Sequence, residues 1–436
     1  MKFKPLYSII NHFRDENKSF WLNSGELSIK MSPDNSRSTL LQKITQYYEQ
    51  FKFPILLTLF TRIGYSLWLA IVWFTIDKHF PLSDKALWET YQHLSRSPTL
   101  LGRSLIDVWL RWDAVHYMNL AAFGYDGVGA AETVFFPLYP YLVGYISKIT
   151  NINVTLIGIL TSSFFTLFAL IFYYEMIIVL YSDRNLAKLS ITLLALYPTA
   201  FFLHAPFTEG LFLFCSIGCL LFLVKQKFIT AGLFCFAAGL VRPQGILLLI
   251  PIAYSLYRAF IVQKHQLYWR QIISIGIAPL GFVSYLIWRS EYGQPGIIQS
   301  FQSYSNVSFQ DPFTSLIKVA ESLVTQPSFI RTIEFVLILI ILYILIWMFR
   351  RAEFRKHMGI MLYSAATWLL IVSKTTGNGI VPPLSNRYVL HIFFAFVGMA
   401  LYIKNFPEKA RIFIVFLGIA LSLLGLTLYS LWVFVG

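Results

Sequence analysis

Val134 to Ile149, VFFPLYPYLVGYISKI, is the segment on which the topology of the whole chain turns. It is apolar enough to resemble a membrane span, yet it carries Pro137 and Pro140. At about 1.5 Å per residue it is also short for a hydrocarbon layer of about 30 Å. Charge on either side decides the matter. If the segment does not cross, the short loops on one side hold Arg184, Lys188, Lys225, Lys227, Arg258, Lys264, Arg270, Arg350, Arg351, Arg355, Lys356, Lys404, Lys409 and Arg411. The other side holds only Arg242, Arg289, Lys318, Arg331, Lys374 and Arg387. Fourteen basic residues against six satisfies the positive-inside rule, whereas a crossing would invert every later loop. The segment is therefore expected to be re-entrant or to lie at the outer interface.

Working outward, the chain is 57% hydrophobic, 17% aromatic and only 13% charged over 436 residues, a composition that fits a polytopic membrane protein and no soluble core. Apolar blocks are expected to span near 54–76, 155–181, 188–203, 209–224, 228–241, 245–261, 271–288, 333–349, 358–372, 388–403 and 412–435. The predicted fold class is an all-α bundle of about eleven transmembrane helices. Residues 1–52 carry eight Lys/Arg against five Asp/Glu and read as a cytosolic polar lead, with 53–436 as the transmembrane domain. Within that domain, 77–153 and 290–332 are the two large outer loops. A net charge of +14 distributed between spans points to orientation and lipid headgroups and not to nucleic acid. Cys215, Cys219 and Cys235 fall inside apolar runs and read as small buried hydrophobes.

This topology places the polar motifs on one face. Ser104 to Ala122 suits an interfacial amphipathic helix on which Asp113 and His116 share a side, with Tyr117 beside them and Arg111 nearly opposite. A carboxylate there can take a proton from a sugar hydroxyl while an imidazole orients the acceptor; solvated polar residues on an interfacial helix have an equal claim on spacing alone. In His204-Ala205-Pro206-Phe207-Thr208-Glu209, Thr208 suits an N-cap and Glu209 the first helical turn. His204 or Glu209 would otherwise close a sugar pocket, joined by Gln244. Arg242 and Arg387 stand at outer span ends, where a planar guanidinium can snorkel or hold a lipid-linked phosphate. Glu175 reads as paired within the bundle. No phosphate loop, dinucleotide fingerprint, metal spacing or nucleophile elbow is present. Asp113, His116 and Glu209 could share one divalent ion, but no spacing demands it.

Taken in order, Arg111-Trp112-Asp113-Ala114-Val115-His116-Tyr117, Phe123-Gly124-Tyr125, Phe135 to Pro140, Tyr197-Pro198 through Glu209, and Arg242-Pro243-Gln244-Gly245 resemble the GPI mannosyltransferase II (PIG-V) family. Asn386-Arg387-Tyr388 extends the likeness weakly. The resemblance implies a GT-C-type bundle with juxtamembrane helices in the first outer loop and Asp113 as general base. It also implies an inverting transfer of a hexose, mannose above all, from a polyprenyl- or dolichyl-phosphate donor to a glycan or glycolipid acceptor. The expected setting is the outer face of a bacterial plasma membrane, or the endoplasmic reticulum in a eukaryote. A lipid-glycan flippase is the rival reading; it would show mid-membrane charges and repeat symmetry, and neither is evident.

Overall fold

The computed structural model describes residues 36–76, 94–126, 132–262, 269–305, 307–376 and 386–433. The polar lead before Ser36 and the Pro382-Pro383 break lie outside the described residues. The chain divides into two compact units, Met1–Lys52 and Phe53–Gly436. In the first, the described residues are helical, and Lys52 pairs with Glu49 at 3.7 Å.

The helices used below are α1 Ser36–Thr75, α2 Asp113–Phe123, α3 Leu138–Thr150, α4 Val154–Tyr181, α5 Arg184–Ala195, α6 Glu209–Val224, α7 Phe228–Val241 and α8 Leu249–Tyr257. They continue with α9 Trp269–Ile277, α10 Leu280–Glu291, α11 Ile297–Ser305, α12 Pro312–Thr325, α13 Phe329–Phe349, α14 Met358–Val372, α15 Phe393–Ile403 and α16 Glu408–Ser430. Six stretches are long and apolar enough to cross a membrane: Thr45–Thr75, Val154–Tyr181, Pro243–Ile261, Trp269–Glu291, Phe329–Phe349 and Glu408–Ser430. Helices α6, α7, α14 and α15 are apolar but shorter. Every block expected from the sequence contains helix, but length separates them. The block 188–203 becomes the end of α5 and a separate 3-10 turn, Ala200–Leu203. Pro198 excludes helical geometry at Tyr197, so the helix stops there. The block 388–403 is helical in α form only from Phe393, after the 3-10 turn Asn386–His391.

The deciding segment folds as α3, 13 residues long and at about 1.5 Å per residue too short to span. It packs between α2 and α4. The buried centre forms where α4 runs along α6, and α6 along α7, all three being apolar on most of their faces. One short antiparallel pairing, Val307–Phe309 (β1) with Lys374–Thr376 (β2), sets Phe309 opposite Lys374.

Close approach of α2 and α3 depends on Gly144, whose position leaves no room for a Cβ against the Ala121 carbonyl. Gly144→Val should therefore push α3 off the helix that carries Asp113. We expect a loss of about 1–3 kcal/mol, read as a lower thermal midpoint of the purified protein.

Candidate active site

Ser104 to Ala122 is not one helix. A 3-10 turn, Asp107–Trp109, is followed by a break in which Trp112 adopts φ 55°, and α2 starts afresh at Asp113. A left-handed φ is costly for a bulky residue, and here it aims the first turn of α2. Asp113 thus sits at a helix N-terminus, where the macrodipole stabilises an anion. Asp107 is spent on structure, accepting from the Ser97 amide at 2.9 Å and the Ser97 hydroxyl at 2.7 Å.

Four residues predicted from sequence converge. Arg387 Nη2 donates to Asp113 Oδ2 at 2.6 Å, and its Nε lies 3.8 Å from Glu209 Oε1. Arg242 Nη1 stands 2.9 Å from the same Glu209 oxygen and donates to His391 Nε2 at 3.2 Å. Local sequence explains the placements. Arg242 is extended (φ −157°, ψ 152°) because Pro243 follows it, which turns its side chain out of the helical path. Glu209 opens α6, while Arg387 rides on a 3-10 turn beside the faces of Phe202 and Phe207. Although Glu209 is fully buried and ion-paired, neither of its oxygens has a directed hydrogen bond among the described residues. Asp113 keeps 17% of its side chain exposed, so a ligand can reach it.

Three further groups complete the cluster and were not singled out by sequence reasoning. Tyr304, on α11, donates its hydroxyl to Asp113 Oδ1 at 3.2 Å. Lys374 Nζ lies 4.0 Å from the centre of the Tyr388 ring, which also faces Arg242 and Arg387. His391 is fully buried against Phe212. The Tyr directly after Arg387 was an available signal; no motif marked Tyr304 or Lys374.

The remaining expectations resolve differently. His116 stacks on Phe135 at 5.1 Å and meets the edge of Tyr304, so it lines the site beside Asp113. The hydroxyls of Tyr117 and Thr208 lie 3.3 Å apart; Thr208 occupies the N-cap position of α6 without capping it through its side chain. Arg111 is turned away: its Nε donates to the Ser430 carbonyl at 3.0 Å and its Nη1 to Asp107 and Leu110 carbonyls. The broken helix, not the expected continuous one, sends it there. His204 is held in the core by Thr61 at 3.0 Å and Ser163 at 3.4 Å, away from the cluster. Gln244 is buried with its Oε1 lacking a hydrogen bond among the described residues. Asp113, His116 and Glu209 are not gathered as one ligand set: Arg387 pairs with both carboxylates, and no described group of three His, Cys, Asp or Glu is placed to hold a metal.

Electrostatics follow from these contacts. Burial works to raise the Asp113 pKa, but the charge and hydrogen bond of Arg387 outweigh it and hold the carboxyl below its ordinary 3.8. Burial lowers His116, against the opposing pull of Asp113 and Glu132, and lowers His391 further with the help of nearby cations. Burial alone would raise the Tyr388 phenol, yet Arg387, Lys374 and Arg242 bring it down to about 8. Burial also lowers the Lys374 pKa, against the pull of the Tyr388 phenol. Arg242, Arg387 and Lys374 together face Asp113 and Glu209, a basic pocket beside two carboxyls.

The family model described as Mannosyltransferase (PIG-V) matches residues 55–309, a range that holds Asp113, Glu209, Arg242 and Tyr304. GPI mannosyltransferase 2 of Schizosaccharomyces pombe is 25% identical over 241 residues, 54% of this chain and 50% of its own. The chain thus spans about half the length of that curated relative. Among solved structures, the crystal structure of the Archaeoglobus fulgidus oligosaccharyltransferase in complex with Zn and sulfate is similar at TM-score 0.42 and 13% identity, covering 76% of this chain and 49% of that one.

A carboxylate whose pKa is depressed in the folded state contributes stability above its unfolded value and loses it as pH falls through the folded one. Stability should therefore fall on acidification below about pH 3.8, and Asp113→Asn should flatten that limb in melts taken across pH. Tyr304→Phe removes a donor to the carboxylate and should shift the limb to higher pH.

Proposed function

The chain belongs to the mannosyltransferase (PIG-V) family, and from that premise we propose an inverting glycosyltransferase that moves a hexose, mannose above all, from a polyprenyl-phosphate donor to a lipid-linked glycan or similar acceptor. The observation that carries this reading is the Asp113–Arg387–Glu209–Arg242 network with Lys374 beside it, a base and an anion site in contact.

In this reading Asp113 accepts the proton of an acceptor hydroxyl while that oxygen forms its bond to the anomeric carbon. The bond from that carbon to the phosphate oxygen breaks on the opposite side of the sugar. The electron pair leaves with the polyprenyl phosphate, whose charge Arg387, Arg242 and Lys374 stabilise. Arg387 starts paired with Asp113; the donor phosphate competes for that guanidinium, so donor binding uncovers the base. His116, stacked on Phe135, and the edge of Tyr304 offer apolar and polar surface for the acceptor sugar. The preference of basic residues for the opposite loops supports an outer-face site in an integral membrane protein.

The test is transfer from labelled polyprenyl-phosphate mannose by the purified, reconstituted protein. Asp113→Asn should lower kcat by about 10²–10⁴-fold, and Arg387→Lys should weaken donor binding through loss of the planar fork. Full transfer by Asp113→Asn would remove the base assignment. Lipid movement without a covalent product would favour a flippase instead.

A further inference from the structure

Glu334 lies near the start of α13 and is 7% exposed. Among the described residues it has no hydrogen bond and no ion pair within 4 Å; the titratable groups that sense it are Arg331 on its own helix and Tyr197. It looks into a lateral cleft of about 60 Å³ between α13 and α16, walled by Ile333, Leu337, Leu421 and Leu428. Phe329 and Leu424 at its rim are 72% and 40% exposed. The floor is Asn386, 1% exposed, whose Oδ1 accepts from the Tyr197 hydroxyl at 3.3 Å and whose Nδ2 has no acceptor among the described residues. Arg387 follows it directly in the chain, so the cleft ends one residue from the Asp113 partner.

A carboxyl and an amide N–H left without partners on an apolar wall are costly unless something supplies them. The occupant must hydrogen-bond to Glu334 and accept from Asn386. A phosphate would bring its full charge between apolar walls; an ammonium cannot accept. A neutral hydroxyl meets both groups. The apolar walls and lateral opening between two span-length helices require that the hydroxyl arrive on a lipid.

We propose that this cleft binds the hydroxylated headgroup of a membrane amphiphile entering sideways between α13 and α16, and that this amphiphile is the glycosyl acceptor. The second half rests on the transferase reading above. The donor phosphate keeps to the arginine cluster, and the two substrates meet at Asp113 from different sides.

The experiment uses the full chain in nanodiscs with three photoreactive probes of one chain length: an alkyl glucoside, an alkyl phosphate and an alkyl trimethylammonium. The glucoside should label α13 and α16 peptides saturably and in preference to the other two. Glu334→Leu and Leu424→Trp should each raise the concentration needed for half-labelling, by about ten-fold for the first, which gives up the hydrogen bond to the headgroup. Equal labelling by all three probes, or glucoside labelling unchanged in both variants, overturns the binding site. In the transfer assay Leu424→Trp should raise the acceptor KM and leave the donor KM alone. An unchanged acceptor KM, or a wild-type protein that transfers nothing, overturns the acceptor assignment, while the labelling result still decides whether the cleft binds the headgroup.

Discussion

The guanidinium of Arg387 is the contact on which the rest of the site depends. It reaches Asp113 at 2.6 Å across 274 positions of sequence and stands near Glu209 at 3.8 Å. Two carboxylates withdrawn from water in one small volume repel each other, and each alone would be expensive to bury. A cation between them lets both stay charged. The faces of Phe202, Phe207 and Tyr388 surround that cation and exclude water, and the Tyr388 hydroxyl accepts a further hydrogen bond from its Nη2 at 3.1 Å. The first loop, α6, the end of α7 and the turn before α15 are thereby tied to one point.

Much of this was legible because charge is rare in the chain. With 13% charged residues, an Asp, a Glu and two Arg beside apolar blocks are conspicuous, and all four meet. The non-crossing placement expected for 134–149 came from charge, and the helix formed there, α3, is 13 residues long. Arg111 and His204 were equally conspicuous but are core struts. Periodicity assumes an unbroken helix, and the break at Trp112 came from a positive φ that no residue type announced. Helix lengths were less legible than helix positions, since apolar composition does not show where a 3-10 turn replaces an α turn, as at Asn386–His391.

Tyr304 and Lys374 were missed for a different reason. Neither stretch carries a motif: Tyr304 stands near the end of the short amphipathic helix α11, Lys374 follows α14, and a three-residue pairing of β1 with β2 helps bring the two together. Such a pairing is long-range in sequence and too short to leave an alternating pattern. Arg289 adds the second constraint. Its guanidinium donates to the Thr133 and Pro295 carbonyls and to the Ser300 hydroxyl, fixing the approach to Phe135 on one side and α11, hence Tyr304, on the other.

The buried cations therefore fall into two kinds by what they hold. Arg111 and Arg289 are bound to backbone carbonyls, and drawing either toward a ligand would leave those carbonyls unsatisfied and release a loop. Arg242 and Arg387 are bound to carboxylates, and Lys374 lies over an aromatic ring. Partners of that second kind can be exchanged for a phosphate oxygen at small net cost, because a charge-assisted contact replaces a charge-assisted contact. The loops that form the pocket can thus stay rigid while the charges inside it change partners, as admission and release of the proposed phosphate donor would require.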